Sequence, residues 1–160
     1  MNKDEIISKA FTVFGNAERP EHFTNHTHCC ECQEHDEVLR AAAPETIDRE
    51  SLGSMGWDPI TFTTDEGFKY YLPGLIRTVL CAHDENSYYE QFLWHVGDAV
   101  QAGYRKLVLS PEEREVIVNT LNYLLDYRAG EIQQECLEQN LLDALELWQA
   151  TGGAAGQERS

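Results

Sequence analysis

Apolar residues recur along this chain at helical rather than strand spacing. Ile6, Ile7, Ala10, Phe11 and Phe14 fall on one side of a helix, with Gly15 as its stop. From about His28 to Ala43 nothing breaks a second helix before Pro44: acids load its N-terminal half, Arg40 lies in its last turns, and Thr27 is placed to cap it. Thr46 to Leu52 predicts a short helix closed by Gly53. Residues 53–62 then mix Gly and Pro with Trp57, Ile60 and Phe62, the composition of a short packed loop. Thr63 to Glu66 reads as a capping box ahead of a broad apolar face of Phe68, Tyr71, Leu72, Leu75, Ile76, Val79 and Leu80, and Pro73 inside it predicts a kink or break near Tyr70.

Ser87 to Glu90 repeats the capping pattern before Tyr88, Phe92, Leu93 and Val96, with a stop near Gly97. At Ser110-Pro111-Glu112-Glu113 cap, first-turn proline and glutamate agree on a helix start. Its stripe of Val116, Ile117, Thr120, Leu121, Leu124 and Tyr127 lasts until Gly130, and Ile132 through Trp148 continue in a last helix, the two forming an antiparallel hairpin. No window offers several alternating strands and no segment repeats at a fixed spacing. The expectation is an all-α fold, a compact single-domain bundle of about six helices over residues 1–150, with 151–160 as a disordered tail.

Length and charge narrow the function classes. At 160 residues the chain can bury a core without disulfides or metal. A net charge of −16, from 28 acids against 12 bases, repels phosphate backbones and anionic lipid, so neither nucleic acid nor membrane is an expected partner. The same charge either keeps a solvated surface or complements a basic protein partner. The longest apolar run, Tyr70 to Ala82, is broken by Pro73 and Arg77 and falls short of the roughly 20 residues of a membrane span. No secretory signal opens the chain, and five cysteines, three of them between Cys29 and Cys32, suit a reducing cytoplasm with free or metal-bound thiols.

The chemistry concentrates between Asn25 and Glu37, where cysteines, histidines and carboxylates crowd together. With about 100° per residue, Cys32, His35 and Leu39 share the face of His28, Cys29 and Asp36 lie on its flank, and Cys30 points to the wet side. His28, Cys29, Cys32 and His35 are therefore the candidate metal ligands, for a zinc-type ion. His28 and His35 are about 10 Å apart along a regular helix, so further ligands would come from His22 or His26 in the preceding loop, or from Cys81, His83, His95 or Cys136. The competing readings are buried cysteines acting as small apolar groups and a Cys29-x-x-Cys32 redox pair, which lacks the strand that such a motif follows. His95 reads as a packing histidine, His83 as a partner for a helix C-terminus, and Trp57, Tyr70, Tyr71, Trp94 and Trp148 as core.

His28-Cys29-Cys30-Glu31-Cys32-Gln33-Glu34-His35-Asp36, Gly56-Trp57-Asp58-Pro59-Ile60, Gly67-Phe68-Lys69-Tyr70-Tyr71-Leu72-Pro73 and Leu109-Ser110-Pro111-Glu112 together resemble a family of small bacterial proteins classed as a domain of unknown function. That resemblance spans residues 5 to 128 and implies a bacterial origin but no activity. No G-x-S-x-G, H-E-x-x-H or E-x-x-H pattern occurs, so catalysis has no support from motifs. The functional expectation is an acidic cytoplasmic interaction protein that neutralises a basic partner, with zinc-type metal binding by the His28–Cys32 segment as the alternative.

Overall fold

Helix α1, Lys3–Phe14, begins where the Asn2 side chain accepts the Glu5 amide at 2.9 Å, and it buries Ile6, Ala10 and Phe14 along one stripe. The computed structural model describes residues 1–158, with side chains through residue 150; the expected tail at 151–160 lies outside the residues described with side chains. Seven further α-helical segments follow: α2 Cys30–Ala41, α3 Asp65–Cys81, α4 Tyr89–Leu93, α5 Ala99–Gln101, α6 Pro111–Tyr127, α7 Ala129–Gln134 and α8 Glu138–Glu158. A π-turn, Trp94–Asp98, joins α4 to α5, and 3₁₀ turns occupy Pro59–Phe62 and Asp84–Asn86. The fold is all-α. Among the described residues the only bridges are isolated ones, Thr24 with Thr63 and Ser54 with Trp57.

One buried cluster runs from Ile6 to Trp148. Helix α3 is its centre: α1, α4 and α6 pack on it, α8 closes over α4, α6 and the π-turn, and α2 lies against the 59–62 turn. Ser110 meets its expectation in full, its hydroxyl accepting the Glu113 amide at 3.1 Å while the Glu113 carboxylate accepts the Ser110 amide at 2.9 Å.

Several expected boundaries move. No helix forms over 46–52; separate turns take its place, the Ile47 amide donating to the Ala43 carbonyl at 2.8 Å and the Leu52 amide to the Asp48 carbonyl at 3.2 Å, with the Asp48 carboxylate accepting the Ser51 amide at 2.8 Å. Ile47 and Leu52 are nevertheless buried. Helix α3 runs through Pro73 without the expected break near Tyr70. Pro73 is buried, and at Gly74 an added Cβ would come within 2.6 Å of the Pro44 carbonyl oxygen, so tight docking on the 44–47 turn holds the helix together. Arg77 reinforces the contact by donating to the Ile47 carbonyl at 2.6 Å.

Thr64 rather than Thr63 caps α3, accepting the Gly67 amide at 3.1 Å, since the Thr63 hydroxyl donates to the Ile60 carbonyl at 2.6 Å. Ser87 does not cap α4; its hydroxyl donates to Glu135 at 2.7 Å. The backbone does not stop at Gly97 but passes through the π-turn, and an added Cβ there would meet the Ala144 side chain at 3.3 Å. The chain turns instead at Gly103, whose φ of +82° suits glycine. Helices α6 and α8 pack together as the expected hairpin, with α7 and a turn at Cys136 inserted between them.

Candidate metal centre

The N-terminus of α2 is built by its own cysteine. Cys29 is the cap residue, its Sγ accepting the Cys32 amide at 3.4 Å, so Thr27 does not serve as the cap. Helix geometry therefore begins at Cys30, and His28 is freed from the helical row in which the sequence places it. His28 is exposed yet turns back, with Nδ1 3.7 Å from Cys32 Sγ. Donor atoms of His28, Cys29 and Cys32 all lie within 4.8 Å of one another.

That spacing matches zinc chemistry. Tetrahedral coordination with Zn–S of about 2.3 Å and Zn–N of about 2.0 Å sets ligand atoms about 3.5–3.8 Å apart. The His28–Cys32 edge already has this length, and Cys29 closes the triangle from an exposed position.

The two thiols differ electrostatically. The Cys32 backbone amide, then the His28 and Cys32 side chains, stabilise the Cys29 thiolate and bring its pKa down to about 7. Cys32 moves the other way, raised first by its hydrogen bond with Cys29 and then by burial. Because thiols bind metal as thiolates, a cation here displaces the Cys32 proton and whatever proton Cys29 still holds, so its affinity should rise with pH.

His35 does not join the set. Its ring is 1% exposed, with centroids 4.6 Å from both Trp57 and Phe62. Its Nε2 has no hydrogen-bond partner and lies 3.7 Å from Glu31 Oε1. The structure thus brings together three of the four candidate ligands, and Cys30, Cys81 and Cys136 are exposed outside the group.

The remaining histidines fall into different surroundings. His95 is a buried packing histidine, as its apolar helix implies, with Nε2 2.7 Å from Asp58 Oδ2. His83 does not take the end of α3; Arg128 does, donating to the Leu80 carbonyl at 3.1 Å, and its guanidinium is 3.3 Å from His83 Nε2. His22 and His26 lie not with the thiols but with Asp36, which is 2% exposed. Sequence spacing could not show this, because the loop reverses between them. Trp57 is also misplaced by a core reading: it is 47% exposed, covering His35 from outside, while Tyr71 and Trp148 are buried.

Neither family models, nor curated proteins, nor solved structures give a match to this chain.

Proposed function

We propose that this chain is a metal-binding protein whose His28, Cys29 and Cys32 hold a zinc-type ion. The observation that carries the reading is the convergence of two sulfurs and an imidazole nitrogen within 4.8 Å, with one edge already at 3.7 Å. Two thiolates and a neutral imidazole select borderline-soft ions, zinc foremost. Among the described residues no further donor joins the triangle, so a bound ion keeps a coordination position for water or an external ligand. Such a site either polarises a ligand or passes the ion on.

Cobalt(II) tests the reading because thiolate ligation gives it a charge-transfer absorption. Reduced full-length chain is expected to show that band and lose it on zinc addition. Cys32→Ala and the exposed-site variant Cys29→Ser should each remove most of its intensity while circular dichroism stays unchanged. A wild-type chain without the band, or variants that retain it, would sink the assignment.

The charge of −16 supports a second reading, binding of a basic protein. One acidic cleft that such a partner would cover is lined by Asp84, Glu85, Glu131 and Glu135 around Ser87. A partner held there should be captured at low salt and released as ionic strength passes the point where the Debye length shrinks below about 8 Å. Capture of no basic protein, or capture indifferent to salt, would count against it.

A further inference from the structure

We propose that His22, His26 and Asp36 form a second divalent-metal site, distinct from the thiol site and harder in donor character. Their donor atoms lie within 4.8 Å of one another. The two groups share no ligand, so the second can hold an ion whether or not the first does.

Asp36 is the fixed point. It is 2% exposed, and its Oδ1 accepts the amides of Phe23 at 2.6 Å and Thr24 at 3.2 Å. Those bonds lock the carboxylate and leave Oδ2 facing His22 Nδ1 at 2.7 Å. Backbone bonds to one oxygen with the other turned to an imidazole give a ligating carboxylate the outer-shell support that metal sites use.

The loop is equally constrained. Thr24 donates its hydroxyl to the Cys32 carbonyl at 2.7 Å, and the Thr64 amide donates to the Phe23 carbonyl at 2.8 Å. Phe23 and Thr24 are buried, so His22 and His26 flank an anchored pair of residues and are presented to the same side. Their rings stack at 3.6 Å between centroids with 9° between planes.

A plain ion pair between His22 and Asp36 is the competing account, and it gives His26 no part. It leaves unexplained why a second imidazole is laid flat on the first rather than turned to the solvent. An ion would replace the His22–Asp36 hydrogen bond, whose 2.7 Å span needs to open to the about 3.0 Å edge of octahedral N/O coordination at about 2.1 Å. Two imidazoles and one carboxylate, with the other positions open, suit first-row divalent ions such as iron(II) or cobalt(II) rather than the softer ions favoured by thiolates.

Equilibrium dialysis of the reduced full-length chain against cobalt(II), with the metal content measured alongside the thiolate charge-transfer band, tests this. The expected result is a bound ion that contributes no charge-transfer intensity. His26→Ala, at a half-buried loop position, should weaken that ion by more than roughly 100-fold, the upper end of what changes one shell further out produce, and leave the thiolate band at full amplitude. Cys29→Ser should do the reverse. If His26→Ala and His22→Gln, both checked for an unchanged fold by circular dichroism, bind as much cobalt as the wild type, or if every bound ion tracks the thiolate band, the second site does not exist. Loss of the band alone would overturn only the thiol site.

Discussion

Asp58→Ala is expected to destabilise the chain by about 3–5 kcal/mol, the cost of stripping a buried polar cluster of its shared acceptor. Asp58 is 2% exposed. Its Oδ2 receives His95 Nε2 at 2.7 Å and Gln91 Nε2 at 3.1 Å, and its Oδ1 accepts the Ile60 amide at 2.9 Å. Alanine would leave the His95 ring and the Ile60 amide without their acceptor in a buried space, while Gln91 keeps the Leu52 carbonyl at 2.9 Å. Gln91 stands on α4 and His95 in the π-turn that follows it, while Asp58 opens the 59–62 turn against which α2 packs, so the cluster couples the α2 platform to the central bundle. Total stability of an ordinary domain is about 5–15 kcal/mol, and the loss would consume a large part of it. Urea unfolding measures the effect; Gln91→Leu, which removes only one of the donors, should cost less. A loss below about 1 kcal/mol for Asp58→Ala would mean that the stranded donors reach water or one another.

The helices were legible because their apolar faces recur at the right period, and Ser110 was legible because its capping box is entirely local. Thr63 and Ser87 show where local reading fails. Each has the right sequence for a cap, but Thr63 sits where Arg105, buried and held over the Phe68 ring at 4.5 Å, donates to its carbonyl at 2.8 Å. Ser87 finds Glu135, in the turn after α7 and far along the chain. Such partners arrive only through tertiary packing, and nothing in the 103–109 connection marked Arg105 as buried.

The candidate site divides along the same line. The row Cys32, His35 and Leu39 is buried as its helical phase requires. His28 escaped that logic because the helix starts two residues after it, and Asp36, assigned to the flank, is buried because a loop folds over it and supplies its hydrogen-bond donors. Phase along one helix shows which way a side chain faces. It is silent on what another segment lays against that face.

Asp36→Ala is expected to cost about 2–4 kcal/mol at neutral pH, because it strands the buried amides of Phe23 and Thr24 together with the inward nitrogen of His22. The effect should depend on pH in a defined sense. Burial on its own raises the Asp36 pKa, but the His22 hydrogen bond and the Phe23 and Thr24 amides outweigh it and hold the pKa below its ordinary 3.8. A carboxyl group whose folded pKa lies below its unfolded one binds fewer protons when folded. Its contribution is therefore complete above the ordinary carboxylate range and is lost as pH falls through the depressed folded value. The gap between wild type and Asp36→Ala should accordingly narrow as pH falls below 3.8, as urea midpoints across the acid range would show. A gap that stays constant into acid would mean that Asp36 acts by filling space rather than as an anion. A gap that narrows would establish the fixed, ionised carboxylate on which both the His22–His26 loop and its proposed metal site depend.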